Sequence, residues 1–325
     1  MKQSLENIKT KHNIKIAYMG TPDISAIVLS ELINHKFNVT GVLCGSDKIS
    51  GRGKELSIPP VKKVALKYKL SLFQPKTKEE FTSQIKSLNP DLTIVFAYGM
   101  ILPKEALEMP KFKTLNIHPS LLPRYRGPSP IASVIQNGEK ETGISIVRMV
   151  EEVDAGPILA QKKIKIEGYD TTETLGLKIA KLAADMLIDI IPRWVSEGIK
   201  EIPQDDKKAT FTKIFKKDDG RIDWSKTAEE ISNQVKAFTP WPGSFAFWKK
   251  NKKQLMLKII EADHENISTK DLKIGEVFID KKKRLCVKTG KGILIVKKLQ
   301  LEGKKEISGQ DFIRGYPEII GAILG

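Results

Sequence analysis

Residues 91–97 form a nearly continuous apolar run from Asp91 through Leu92, Thr93, Ile94, Val95 and Phe96 to Ala97. A short run without alternation fits a strand covered on both faces, so helices are needed above and below it. The preceding residues supply them. Ile14 to Met19 reads as a first strand, turned by Gly20-Thr21-Pro22. Asp23 stands where it can cap a helix to about His35, with Ile24, Ile27, Val28 and Leu32 at helical spacing. Asn38 to Cys44 reads as a strand, Val61 to Lys69 as a helix, Leu72 to Gln74 as a short strand and Lys78 to Leu88 as an amphipathic helix. This alternation predicts an α/β, Rossmann-like domain. Its first turn lacks Gly-x-Gly-x-x-Gly, so a dinucleotide is not indicated.

The next strand carries polar groups. In Thr114-Leu115-Asn116-Ile117-His118-Pro119, Leu115 and Ile117 alternate with Asn116 and His118. Period two puts Asn116 and His118 on one face, about 7 Å apart. Pro119 takes the chain out of the sheet. A helix is expected over 130–137. Thr142 to Met149 and Ile158 to Ile166 read as strands joined by a tight loop that holds Glu151, Glu152 and Asp154. Thr171 to about Ser196 reads as a long helix stopped at Gly198. Upstream, residues 45–60 are long for a strand-to-helix connection, and Gly51 and Gly53 flank Arg52 there.

Residues 201–212 are polar and read as a linker between a domain over 1–200 and a second over 213–325. The second shows short strands near 245–248, 255–260, 276–280, 284–288 and 293–299, as in a small OB-like β-barrel. Lysines crowd two of its turns, Lys249-Lys250-Asn251-Lys252-Lys253 and Lys281-Lys282-Lys283-Arg284. Residues 207–325 hold 26 Lys and Arg against 15 Asp and Glu, and the first 206 residues hold 29 against 24. The formal net charge of +16 is thus concentrated in the last third, which favours a polyanionic partner such as nucleic acid. Only Cys44 and Cys286 occur, which argues against a disulfide scaffold and fits a reducing cytoplasm. Residues 1–12 lack the apolar core of a signal peptide. No apolar run suggests a membrane span, and no His/Cys cluster suggests a metal.

Asn116 to Gly127, continuing as Pro119-Ser120-Leu121-Leu122-Pro123-Arg124-Tyr125-Arg126, resembles the signature of the formyltransferases that use 10-formyltetrahydrofolate. Gly143 to Ile158 resembles that family's second signature. The likeness runs over nearly the whole chain from Ile14, and is greatest to members acting on methionyl initiator tRNA. It implies Asn116, His118 and Asp154 as catalytic residues. It implies that Ser120, Leu121, Leu122 and Pro123 contact the folate, with the pterin near Tyr98, Gly99 and Val153. For Tyr98, core packing fits the sequence equally well. The likeness further implies that Arg52, Lys54 and Lys48 meet the acceptor end of the tRNA. For Lys252 and Lys253 in the barrel, an RNA-backbone contact is expected from charge. Arg124 and Arg126 fit either the folate tail or RNA phosphates. No metal is implied, and a monomer is expected.

The implied reaction moves a formyl group from N10 of the folate to an unprotonated α-amine. Asn116 and His118 would donate to the oxyanion, and Asp154 would orient His118 and relay protons. A formyltransferase for a small amine, or a formyl-folate hydrolase, would need neither the Arg52 loop nor a basic barrel. An RNA-binding protein without catalysis would not need Asn116, His118 and Asp154.

Overall fold

The computed structural model describes residues 13–50, 55–269 and 271–325. In chain order the first strands are β1 (Ile16–Gly20), β2 (Val39–Leu43), β3 (Lys48–Ser50), β4 (Glu55–Ser57), β5 (Ser71–Phe73), β6 (Leu92–Phe96), β7 (Thr114–His118), β8 (Glu141–Arg148) and β9 (Ile158–Lys165). Seven of them form one sheet in the order β5-β2-β1-β6-β7-β8-β9. Neighbours from β5 to β7 are parallel, whereas β8 is antiparallel to both β7 and β9. All five residues of β6 are buried, as the apolar run requires. The long connection after β2 contains the β3–β4 hairpin, which pairs Lys48 with Ser57.

The helices are α1 (Asp23–Asn34), α2 (Pro60–Lys67), α3 (Lys78–Leu88), α4 (Lys104–Glu108), α5 (Pro130–Gln136) and α6 (Thr172–Val195). Two details differ from expectation. Asp23 lies inside the first turn of α1 and Pro22 is the cap, without a side-chain bond. After α6 the left-handed residue is Glu197, not Gly198, and the Gly198 N–H returns to Arg193 O at 2.8 Å. A core of Ala17, Met19, Leu43, Phe81, Ile85 and Val95 packs on the sheet. Each large side chain so buried contributes about 1.5–3 kcal/mol.

The chain divides into two compact units, one of residues 1–130, 141–165 and 176–212, the other of 131–140, 166–175 and 213–325. The stretch read as a linker is therefore tied to the first unit as far as Thr212. Ile202 exchanges two backbone hydrogen bonds with Ile158, at 2.8 and 2.9 Å.

The second unit holds α7 (Ala228–Ala237), then β10 (Ser244–Lys250), β11 (Lys253–Glu265), β12 (Val277–Ile279), β13 (Leu285–Lys288), β14 (Ile293–Leu301) and β15 (Glu306–Ser308), followed by α8 (Gly309–Gly315). Helix α7 falls outside the sequence expectations, although Thr227 and Glu230 form a capping box at its start. The sheet runs β10-β11-β14-β13-β12, with β15 beside β14. Residues 321–325 join its edges: Gly321 and Ala322 bond Val277, and Gly325 bonds Phe247 in both directions. This closes a small antiparallel barrel around Trp248, Ile259, Leu294, Val296 and Phe312.

Candidate active site

Alternation along β7 buries Leu115 and Ile117 in the sheet and sends Asn116 and His118 to the other face. The β8–β9 connection brings Asp154 to them. That connection turns tightly: Arg148 N–H donates to Pro157 O at 3.1 Å. A Cβ on Gly156 would lie 1.8 Å from Arg148 O, so the backbone approach requires glycine. Asp154 has φ +52°, a left-handed conformation that Asp tolerates better than most residues.

Asn116 Nδ2 donates to Asp154 Oδ1 at 3.2 Å. His118 Nδ1 lies 3.4 Å from Asp154 Oδ2, and Gly127 N–H donates to the same oxygen at 2.8 Å. His118 is 3% exposed. Its Nε2 lies 2.8 Å from Tyr125 O, an oxygen that can only accept. Both ring nitrogens therefore face oxygen acceptors within the protein. Burial alone would push the Asp154 carboxyl up. The His118 ring, the Gly127 N–H and the Arg126 charge outweigh it and hold the group below the usual carboxylate range. Of the three acids in the connection, Glu151 reaches outward to Lys104 at 3.6 Å and Glu152 is exposed. Asp154 alone is drawn inward.

Arg126 is 1% exposed and faces neither of its expected ligands. Its Nη2 lies 2.6 Å from Asp206 Oδ1, and its Nε and Nη2 donate to Gln204 Oε1 at 3.1 and 2.8 Å. Arg126 N–H donates to Thr210 O, and Thr212 N–H to Arg126 O, both at 2.8 Å. The Gln204 amide then donates to Asp154 O and Gly156 O, each at 2.7 Å. Arg124 is exposed, with its guanidinium 5.2 Å from the Tyr125 ring centre. Gln204, Thr210 and Thr212 were invisible to sequence reasoning. They carry no periodic signal and lie in a stretch that reads as a connection.

Residues 120–123 use backbone groups on the protein itself. Leu122 N–H donates to Ser145 Oγ at 3.0 Å, and Ser145 Oγ–H to Ser120 O at 2.7 Å. Gln161 donates to Leu122 O at 2.9 Å, and Thr210 N–H to Pro123 O at 3.3 Å. Ser120 Oγ–H donates to Arg124 O at 2.6 Å. Leu121 and Pro123 are half-buried, whereas Leu122 packs with Val147 and Ile158. These bonds shape the loop and leave side-chain surface, more than backbone polarity, for a ligand.

A pocket of about 140 Å³ opens beside Asn116 and Asp154, with Met100, Ile101, Leu107 and Val153 among its lining. Val153 is 56% exposed and Ile101 71%, at its mouth. Tyr98 does not line this pocket. It packs against Phe81 in the core, burial raises its phenol well above the ordinary value, and its hydroxyl has no hydrogen-bond partner among the described residues. Gly99, next to it, is exposed with φ +86°. An amide donor, a buried imidazole and an anionic carboxylate beside an apolar pocket suit the stabilisation of an oxyanion and the movement of a proton.

None of the residues expected to meet RNA lies among the pocket lining. Lys48 is exposed at the base of the β3–β4 hairpin, where Lys62 holds Asp47 at 2.7 Å. Arg52 and Lys54 lie outside the described residues. Lys252 in the β10–β11 turn and Lys253 at the start of β11 are exposed and form no salt bridge among the described residues. Three other cations of the lysine-rich turns are paired: Lys250 with Glu318, Lys282 with Glu265, and Arg284 with Asp280 and Glu265. Among the described residues no cluster of three or more His, Cys, Asp or Glu could hold a metal ion, and no helix is long and apolar enough to cross a membrane.

Residues 13–191 match the family model described as formyl transferase, and residues 214–317 match the formyl transferase C-terminal domain. Methionyl-tRNA formyltransferase of Sulfurihydrogenibium sp. is 40% identical over 308 residues, covering 93% of this chain and 97% of that protein. The enzyme of that name from Bacillus pumilus is 38% identical over 314 residues, covering 96% and 98%. Among solved structures, HypX of Aquifex aeolicus in complex with tetrahydrofolic acid shares the fold at TM-score 0.64 and 18% identity. That match covers 95% of this chain, which spans about half of HypX, 47%. An N-formyltransferase of Helicobacter canadensis, in complex with folinic acid and dTDP-3-aminofucose, matches at TM-score 0.64 and 18% identity, covering 87% and 98%.

Proposed function

The chain belongs to the formyl transferase family, and on that premise we propose how its residues carry out the reaction of a methionyl-tRNA formyltransferase. The formyl group of 10-formyltetrahydrofolate passes to the α-amino group of methionyl initiator tRNA, which gives N-formylmethionyl-tRNA for translation initiation. The observation that carries this reading is near-complete coverage by relatives of that name, barrel included.

Asn116 has two amide N–H groups. One reaches Asp154, and the second serves the formyl oxygen as it becomes an oxyanion. One such donor is worth roughly 3–4 kcal/mol of barrier. Asp154, held anionic, keeps His118 in place and passes protons through water between the attacking amine and N10. His118, held between Asp154 and Tyr125 O, stands beside the developing oxyanion. Ile101, Val153 and Leu107 offer an apolar seat for the flat pterin. Leu121 and Pro123 border the folate by their side chains, and Tyr98 supports the pocket from the core.

The acceptor tRNA is held by charge. Lys252 and Lys253 meet the backbone, while Lys48, Arg52 and Lys54 meet the acceptor end. The protein acts as a cytoplasmic monomer. The deciding experiment offers labelled 10-formyltetrahydrofolate in parallel with charged initiator tRNA, small amines and water. Label transferred to the charged tRNA alone is expected. Equal transfer to a small amine, or release of formate to water, would overturn the reading.

A further inference from the structure

We propose that Gln204 is a positioning residue that sets the backbone of the Asp154 turn through its two donated hydrogen bonds. The proposal rests on the assignment of Asp154 to the reaction. The Gln204 amide is oriented without ambiguity: its oxygen accepts from the Arg126 guanidinium, so its NH2 group faces Asp154 O and Gly156 O. Both donated bonds are 2.7 Å long. They act on a turn whose central residue holds φ +52°. That conformation is sparsely populated outside glycine and persists only where the surroundings impose it. The Asp154 carboxylate is gripped by Asn116, His118 and Gly127, but those bonds do not fix the main chain from which it projects. Gln204 does, and Arg126 fixes Gln204. Arg126 is in turn held by Asp206 and by the backbone of Thr210 and Thr212. A polar residue in an apparent connection thereby determines where the carboxylate stands.

Two near-isosteric variants separate the roles. Gln204→Met removes all of the bonds. Gln204→Glu keeps an acceptor for Arg126 but loses both donors to the turn. Turnover of charged initiator tRNA is measured with the full-length protein, together with KM for both substrates and the melting temperature. Displacement of a reacting group by about 1 Å costs up to about 100-fold, so both variants are expected to lose roughly tenfold to 100-fold in kcat. KM should stay within about twofold. Combined with Asp154→Asn, either should cost little more than Asp154→Asn alone, since residues that act as a unit are non-additive. Wild-type kcat in both variants would overturn the proposal. So would rescue by Gln204→Glu alone, which would assign the role to Arg126 pairing. A lowered melting temperature with unchanged kcat in the folded protein would leave Gln204 merely structural. Wild-type turnover by Asp154→Asn itself would instead overturn the assignment of Asp154, and the role of Gln204 with it.

Discussion

Asp154 combines three properties that a surface carboxylate lacks: it is partly buried, it has a left-handed backbone, and its oxygens meet Asn116, His118 and Gly127. His118→Ala and Asp154→Asn are each expected to lower kcat by roughly 100-fold or more, with folding intact by circular dichroism. Asparagine is the apt replacement at 154 because it tolerates positive φ. Near wild-type turnover by either variant would remove that residue from the mechanism. The depressed pKa of Asp154 also bears on stability. A carboxyl with a folded pKa below its unfolded value of about 3.9 stabilises the protein above that value. The contribution is lost as pH falls through the folded pKa. Melting of wild type and Asp154→Asn should therefore differ most at neutral pH and converge in strong acid. A gap that widens on acidification would contradict the charged pairing.

Two connections and one short terminal segment do work that their sequences do not advertise. The β8–β9 connection carries Asp154, and the stretch at 201–212 pins it. In the second unit, residues 321–325 take the place of a missing strand between β12 and β10. Five backbone hydrogen bonds hold them there, from Gly321, Ala322, Leu324 and Gly325. Leu324 is also 4% exposed in the barrel core. At about 1 kcal/mol per hydrogen bond and about 2 for the leucine, deletion of 321–325 should destabilise this unit by several kcal/mol. Urea unfolding followed by tryptophan fluorescence would read the loss, since Trp224, Trp241 and Trp248 all lie in this unit. An unchanged midpoint would mean that the barrel is closed by other contacts.

At the scale of the whole molecule, the two substrates of the proposed reaction should bind by different forces. Folate is expected to bind mainly through apolar surface near Ile101 and Val153, so its affinity should depend weakly on salt. Binding of tRNA releases counterions, and its affinity should fall with salt by about 0.7–0.9 logarithmic units per neutralised phosphate. Charge reversal at Lys252 and Lys253 should weaken tRNA binding and flatten that slope, with little effect on kcat at saturation. These two are suitable probes because neither is held in an ion pair among the described residues, unlike Lys250. An unchanged slope would show that the β10–β11 turn does not meet the tRNA backbone.

By itself the sequence determined the parts that local chemistry controls. The apolar run of β6, the Asn116–His118 alternation and the barrel strands are set by residues a few positions apart, through the periods of side-chain direction. The pairing of Asn116 with His118 was legible for that reason. Among Glu151, Glu152 and Asp154, local chemistry made no choice, and only likeness to a known family singled out the last. Tertiary structure decides which of them turns inward, because the bonds that hold Asp154 come from residues 27 to 38 positions away. It also turns Arg126 from a candidate ligand contact into a buried support, through partners 78 and 80 positions on. Gln204 was illegible for the same reason: an amide side chain has no periodicity, and its role exists only where two backbone carbonyls and a guanidinium converge on it.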